Sequence, residues 1–348
     1  MLYFDYSATT PVNKTVLEEF IKHSETKYTD ELGKKEKQKI QSLLKTNMDV
    51  IFTSGATESN NTAISGILNK YQTKGYHIIT TKLEHSSIIE CLAFYEKQGF
   101  IIDYVNLIDG VVDISHLKKL ITDKTILATI ASVNSETGLL QPINEIGTIL
   151  NKNKITFHSD MTQSVGKINI DFSTCDMISF TSHKFFGPKG IGILLKKQNL
   201  NLIPILYGQR TYNYPLIKSF TKALEISLNN SEQYKHVKEI NTYAKEKLKN
   251  LNNKNIIINS NENCIPHILN ISIKNYKPET LLHRLEMSNI LISTKSACSN
   301  INDYSKAVYA LTNNIETAKT SIRISLSHLT TQQDIDKLVS LIEVIANE

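Results

Sequence analysis

One lysine of the chain stands in a setting that suits covalent chemistry. Lys184 lies between an apolar segment that ends at Phe180 and a Gly-Pro-Lys-Gly turn at 187–190. Burial beside aromatic rings lowers the pKa of a lysine, so that its neutral amine can attack an aldehyde and form a Schiff base. Lys189 is the alternative, but its place inside the turn indicates a surface side chain. We therefore predict that Lys184 is the Schiff-base residue.

A glycine turn followed by a helical pattern forms a second candidate site. Residues 54–60 read Ser-Gly-Ala-Thr-Glu-Ser-Asn, a turn that leaves backbone N–H groups at a helix N-terminus, where a phosphate binds well. Thr181 and His183, which flank the lysine, could bind the same phosphate. No Gly-Lys-Ser/Thr follows, so the segment is not a Walker motif. A simple helix cap centred on Thr57 remains the alternative.

A carboxylate follows another apolar run at Asp160. A carboxylate at a strand end can hydrogen-bond a protonated pyridine nitrogen, which lets the ring act as an electron sink. Taken alone, Asp160 is as well explained as the cap of the next turn. The order of the three features along the chain, glycine turn, carboxylate and lysine, favours a single site.

These motifs resemble the class V aminotransferase family and, within it, the cysteine desulfurases. The Ser-His-Lys segment and the Ser-Ala-Cys segment are the most specific of them. The matching stretches follow the family's order over nearly the whole chain: 5–11, 53–61, 84–85, 136–138, 141–142, 158–167, 179–192, 296–298 and 321–325.

The resemblance implies pyridoxal 5′-phosphate (PLP) as the cofactor and gives each matching position a role. Lys184 would form the Schiff base, and His85 would stack on the ring and shuttle protons. Asp160 would pair with the ring nitrogen, and Gln163 would hydrogen-bond the ring phenolate. The phosphate would be held by four residues: Ala56, Thr57, Thr181 and His183.

The substrate side of the site also follows from the resemblance. Arg323 would clamp the substrate carboxylate, a task that suits a planar guanidinium. Asn134 and Ser135 stand where the family contacts cofactor or substrate, with Ser135 in the place of the usual Asn. Thr211 lies in a shortened segment, 207–215, and would replace a threonine that reaches the phosphate of the neighbouring subunit's cofactor.

One of the four cysteines is placed to accept sulfur. Cys298 lies in a small, polar loop segment beside Lys295, where a thiol can become a nucleophilic thiolate. Cys91 lies in a helical core pattern, and Cys175 and Cys264 border strands, so we expect these three to be inert. The implied reaction takes sulfur from L-cysteine, leaves a persulfide on Cys298 and releases alanine.

The pattern of the first half predicts an α/β fold. Between residues 48 and 195, β-branched runs alternate with helical periods, which indicates a mostly parallel sheet with ligands beyond its carboxyl edge. The resemblance implies a PLP-dependent transferase fold of the aspartate-aminotransferase type, with a seven-stranded sheet flanked by helices and a smaller α+β domain. A long helix is expected from Pro215 to Leu251. We predict a large PLP-binding domain at 13–225 and a small domain at 1–12 and 226–348 that carries the Cys298 loop.

Composition excludes several other classes. The net charge of +5 comes from scattered basic residues, so direct nucleic-acid binding is not expected. The cysteines form no C-x-x-C pair, which argues against a zinc site and a disulfide framework. No apolar run approaches the roughly 20 residues of a membrane span, and no signal peptide is visible, so we expect a cytoplasmic protein.

Partners and alternatives remain to be tested. The family implies a homodimer and a sulfur-acceptor protein, either an iron–sulfur scaffold or a tRNA-thiolation enzyme. One alternative is another PLP enzyme on the same scaffold, such as a selenocysteine lyase or an aminotransferase. The other is a degenerate, non-catalytic homologue that acts as a binding partner.

Overall fold

The computed structural model describes residues 1–169, 171–208, 212–229, 231–294 and 304–347. The strands in these ranges are β1 (Leu2–Tyr3), β2 (Asp49–Thr53), β3 (His77–Thr80), β4 (Ile101–Tyr104), β5 (Leu107–Ile108), β6 (Val111–Val112), β7 (Thr125–Thr129), β8 (Thr156–Asp160), β9 (Met177–Thr181), β10 (Gly192–Lys196), β11 (Ile256–Ile258), β12 (Ile268–Ile273), β13 (Ile290–Leu291) and β14 (Ser321–Ser325).

The helices are α1 (Lys14–Lys22), α2 (Asp30–Leu43), α3 (Ala56–Tyr71), α4 (Ser86–Glu96), α5 (Ile114–Leu120), α6 (Ile143–Lys152), α7 (Tyr214–Leu228), α8 (Ser231–Asn250), α9 (Pro278–Met287), α10 (Lys306–Thr312), α11 (Ile315–Lys319) and α12 (Gln332–Ala346). A short 3₁₀ helix covers Ser182–Lys184. In the described parts of the chain, no helix has both the length and the apolar character that crossing a membrane requires.

Seven strands form the central sheet, in the order β2-β10-β9-β8-β7-β3-β4. All neighbouring pairs are parallel except those that β10 makes with β2 and β9. The predicted α/β fold with a mostly parallel seven-stranded sheet is therefore confirmed. The carboxyl ends of six strands and the amino end of β10 lie along one edge of the sheet.

Apolar clusters cover both faces of the sheet, which explains why its strands are nearly continuous apolar runs. One cluster includes Phe157, Phe180 and Phe220, and the other includes Ile64 and Leu92. All of these side chains are fully buried or nearly so. This packing fixes the sheet edge on which the polar strand ends are displayed.

A separate apolar cluster forms around the antiparallel sheet β11-β12-β14 and the helices α8, α9 and α12. Phe4 belongs to this cluster, because β1 pairs in parallel with β13 and Asp5 bridges to Ser325. The amino-terminal segment thus runs along the second cluster before it reaches the central sheet. The division into two domains at the predicted boundaries stays a prediction.

The long helix expected from Pro215 to Leu251 is interrupted, so that part of the prediction was wrong. α7 ends at Leu228. The N–H of Asn229 bonds to the Ile226 carbonyl, three residues back, rather than to the Glu225 carbonyl, four residues back. The Asn229 side chain donates to the Glu225 carbonyl at 3.0 Å and so takes the acceptor that would continue the helix. α8 then begins as a separate helix at Ser231.

Candidate active site

The turn between β2 and α3 brings a helix N-terminus to the edge of the sheet. The N-cap of α3 is Gly55, which has no side chain to compete for the first N–H groups of the helix. Gly192 permits this approach, since a Cβ on it would lie 2.7 Å from the Gly55 Cα. Beside the turn, Thr181 Oγ1 lies 3.1 Å from His183 Nδ1.

These groups make a neutral, donor-rich cradle. Burial, together with the charges of Lys184 and Lys189, lowers the pKa of His183 to about 4, so its ring is neutral at pH 7. A Cβ on Gly55 would have only Thr181 Oγ1 within 4 Å, so the space above the helix N-terminus is open. Such a site suits an anion such as a phosphate.

Lys184 lies at the end of β9 with its amine directed at main-chain carbonyls. Its Nζ donates to the carbonyl oxygens of Ser7 at 2.7 Å and Ala8 at 2.6 Å. Burial, followed by the charge of Arg323, lowers the pKa of Lys184 to about 8. A useful fraction of the amine is therefore neutral and nucleophilic near neutral pH. The alternative lysine, Lys189, is exposed.

A chain of hydrogen bonds joins Asp160 to His85. Asp160 Oδ2 accepts from Asn60 Nδ2 at 2.8 Å, and its Oδ1 accepts from the Thr162 N–H at 2.9 Å. The same Asn60 amide donates to Ser87 Oγ at 2.9 Å, and Ser87 Oγ lies 2.8 Å from His85 Nδ1. The carboxylate and the imidazole are thus oriented by one network that spans α3, α4 and β8.

Two titratable side chains near Asp160, His158 and Glu84, are uncharged at pH 7. Burial lowers the pKa of His158 to about 4 and raises that of Glu84 to about 8. Glu84 accepts hydrogen bonds from Thr81 Oγ1 at 2.7 Å and from the Ala131 N–H at 2.9 Å. Its role is to fix the β3–α4 turn that carries His85.

Arg323 reaches the site from β14. Its Nη2 pairs with Asp5 Oδ1 at 2.8 Å, and its Nη1 donates to the Ser135 carbonyl at 3.0 Å. Its Nε is buried without a hydrogen-bond partner in the described parts of the chain. A guanidinium has five N–H donors, so this arginine retains donors for a carboxylate.

Asn134 closes a turn at the carboxyl edge of the sheet. Its Oδ1 accepts from the N–H groups of Glu136 and Thr137 and from Thr137 Oγ1. Among the residues that the structure describes, its Nδ2 makes one long contact, 3.4 Å, with the Leu83 carbonyl. The oxygen therefore holds the turn in shape, and the amide nitrogen is the group that can bind a ligand.

Gln163 lies three residues after Asp160 and shares a hydrogen-bond acceptor with Lys184. Its Nε2 donates to the Ser7 carbonyl at 3.0 Å, the same oxygen that accepts from Lys184. Its Oε1 accepts from Lys167 Nζ at 2.5 Å. Sequence reasoning gave no role to Lys167, because it lies in a turn segment, where the spacing that relates side chains on a helix does not apply.

Lys167 is 7% exposed, and burial with the charges of Lys184 and Arg323 lowers its pKa well below the usual value. Because the unfolded chain binds a proton here more readily, the contribution of Lys167 to the free energy of unfolding should rise with pH up to about 10.4. Relative to the wild type, the apo form of Lys167→Met should be more stable at pH 7 and lose this advantage toward pH 10. Chemical denaturation across that range measures the difference, and a constant difference would contradict it.

Two predicted site residues, Cys298 and Thr211, lie outside the described residues. The other three cysteines are buried or half-buried. Burial raises the pKa of the Cys91, Cys175 and Cys264 thiols, so they are poor thiolates. This setting is consistent with the inert role expected for them.

With the half-buried Lys184 and the carboxylate of Asp160 at the carboxyl edge of its sheet, the chain has a PLP-dependent transferase fold. The model of the family Aminotransferase class-V matches residues 2–221 and 201–338, and the chain belongs to that family. It is 34% identical to "Cysteine desulfurase IscS" of Buchnera aphidicola, over 99% of this chain and 93% of that protein.

Two solved structures extend the comparison. A "NifS-like protein" superposes with a TM-score of 0.91 at 29% identity and covers 99% of both chains. "SspA in complex with cysteine" superposes with a TM-score of 0.81 at 30% identity, over 95% of this chain and 100% of that one. The second of these has cysteine bound.

The residues fit the cofactor of this family, PLP. The open space above Gly55 lies beside neutral His183 and suits the phosphate. The lysine amine has a pKa of about 8, as an aldehyde-binding amine requires. Asp160 is held in one orientation by two donors on its carboxylate oxygens, and a carboxylate is the group that a protonated ring nitrogen requires.

Proposed function

We propose that this chain is a PLP-dependent cysteine desulfurase, which removes sulfur from L-cysteine and releases L-alanine. The observation that carries the proposal is the placement of Lys184 and Gln163 on one acceptor, the Ser7 carbonyl, beside the carboxylate of Asp160. The relatives that bear this activity in their names, matched over 93% and 94% of their own length, support it.

In this proposal the cofactor is held at three places. Lys184 would bind it covalently, Asp160 would pair with its ring nitrogen, and Ala56, Thr57, Thr181 and His183 would hold its phosphate. Thr211 would reach the phosphate of the neighbouring subunit's cofactor. When bound, the cofactor supplies an electron sink for bonds broken at the substrate Cα and Cβ. His85, oriented through Ser87, covers the ring.

The substrate is held by its carboxylate. Arg323 binds the carboxylate with the donors that Asp5 and the Ser135 carbonyl do not use. The amide nitrogen of Asn134 and the Ser135 segment complete this side of the site. Lys184, with its pKa of about 8, can take up and release a proton at Nζ near neutral pH.

Sulfur transfer is assigned to Cys298. Its thiolate attacks the substrate sulfur, so that an S–S bond forms and the C–S bond of cysteine breaks. The electron pair of that bond stays with the substrate carbon, which takes a proton and leaves as the methyl group of alanine. Cys298 retains the sulfur as a persulfide, and the reaction consumes no external oxidant or reductant.

Exchanging Cys298 for Ala tests this assignment. We expect the variant to lose persulfide formation and nearly all alanine release with L-cysteine, because no thiolate remains to accept the sulfur. Peptide mapping by mass and an alanine assay measure the two products. Cys91→Ala is the matched control and should keep both, since Cys91 is buried with a raised pKa. A persulfide mapped to Cys91, or alanine release that survives Cys298→Ala, would contradict the assignment.

The proposal extends to the surroundings of the enzyme. It includes a cytoplasmic homodimer and a sulfur-acceptor protein, either an iron–sulfur scaffold or a tRNA-thiolation enzyme. The homodimer is expected from membership of the family alone. The relatives named as cysteine desulfurases support the acceptor.

A further inference from the structure

Lys167 is a buried lysine that is linked to Lys184 through Gln163 and the Ser7 carbonyl. Lys167 closes the turn after β8, where its N–H bonds to the Ser164 carbonyl at 3.0 Å. The preceding Gly166 has a φ of +75°, and a Cβ on it would lie 2.7 Å from Ser227 Oγ and 2.8 Å from the Phe185 Cβ. Only glycine suits this position, so the backbone fixes the direction from which Lys167 enters the interior.

The surroundings of Lys167 are poor in compensating charge. Within the described ranges its amine forms one hydrogen bond, to Gln163 Oε1, and no ion pair. In the described parts of the chain, the titratable and charged groups that interact with it are basic: Lys184, Arg323, His183 and His267. Burying an amine in such a place costs more than burying an apolar side chain of the same length. A local cost of this kind is typical of a functional site.

The hydrogen bond from Lys167 sets the orientation of the Gln163 amide. The oxygen and the NH₂ group of a glutamine have nearly the same shape, so their partners decide which way the amide faces. The Ser7 carbonyl can only accept, and Lys167 Nζ donates. One orientation satisfies both neighbours, with Oε1 toward Lys167 and Nε2 toward Ser7 and the amine of Lys184.

We propose that Lys167 is a positioning residue, which holds the Gln163 Nε2 donor toward the group that Lys184 binds. The inference rests on the proposed function, in which Gln163 donates to the phenolate oxygen of the cofactor. A fixed donor stabilises the phenolate most strongly once the neighbouring nitrogen has lost its proton. The fixed donor therefore lowers the midpoint pH of the titration of the lysine-bound cofactor. An amide that Lys167 no longer holds in place loses that effect.

The test is a pH titration of the visible absorbance of the lysine-bound cofactor, which needs no turnover. We expect Lys167→Met and Gln163→Leu each to raise the midpoint by about half a unit to one unit, the effect of one hydrogen bond. The double variant should shift no further than the larger single shift, because both changes remove the same donor. Lys167→Gln keeps a donor toward Gln163 and should restore most of the wild-type midpoint, which separates positioning from packing.

Lys196→Met is the control for removing a partly buried lysine, since Lys196 pairs with Asp49 at the far end of β10. It should leave the midpoint unchanged. An unshifted midpoint in both Lys167→Met and Lys167→Gln, beside a shift in Gln163→Leu, would overturn the positioning role. So would fully additive shifts in the double variant. A wild-type protein without the visible band would instead overturn the proposed function and this inference with it.

Discussion

Lys184→Ala should abolish the visible absorbance of the bound cofactor and lower alanine release by at least about 10³-fold. The variant loses both the amine that binds the cofactor and the group that exchanges protons beside it, and each of these is a large term in catalysis. The change leaves the backbone of the 3₁₀ helix in place, because the bonds of Lys184 to Ser7 and Ala8 come from the side chain. An absorbance spectrum of the purified protein and an alanine assay provide the measurements.

The matched control for Lys184→Ala is Lys189→Ala, five residues away and exposed. It should keep the absorbance and most of the activity. An unchanged spectrum in Lys184→Ala would place the cofactor on a different lysine.

The Lys184 pKa of about 8 predicts a pH dependence of cofactor binding, because only the neutral amine attacks an aldehyde. The rate at which apo protein binds added PLP should therefore rise with pH and level off above about pH 8.

Much of the central sheet could be predicted from the sequence, because its strands are short apolar runs that alternate with helical periods. The runs between residues 48 and 195 include those at 50–52, 78–80 and 126–130, which correspond to β2, β3 and β7. The break at Asn229 could not be predicted from periodicity. It depends on one side chain that captures the Glu225 carbonyl, and this competition is invisible in an apolar pattern.

The network around the site could be predicted only in part. Lys184 and Asp160 stood out because each follows a strand with a distinctive sequence around it. Asn60 and Lys167 did not, because their partners lie elsewhere in the chain or behind the site. The bond between Asn60 and Asp160 spans 100 residues and exists only because the sheet order brings α3 beside β8. Residue type alone gives no signal for such a pairing.

Asp160→Asn should reduce kcat by roughly 10²- to 10⁴-fold, with a small effect on KM. The substitution keeps the shape of the side chain but removes the charge that the ring nitrogen would face. Removing one partner of a buried charged pair costs about 3–5 kcal/mol, and each 1.36 kcal/mol is tenfold in rate. Steady-state kinetics with L-cysteine measures the loss, and the absorbance confirms that the cofactor remains bound to Lys184.

Stability must be separated from catalysis in this variant. Asp160 accepts from both Asn60 and the Thr162 N–H, and an asparagine can accept only on its single oxygen. One lost hydrogen bond costs about 1 kcal/mol, so a modest fall in the melting temperature is expected as well. Asp171→Asn is the matched control, because this exposed carboxylate also accepts on both oxygens, from Asn144 and from the Ser173 N–H; it should leave kcat unchanged while losing a hydrogen bond of the same kind. An Asp160→Asn enzyme with wild-type kcat would remove the ring-nitrogen contact from the proposal, because the loss of charge is the only large change that it makes at the site.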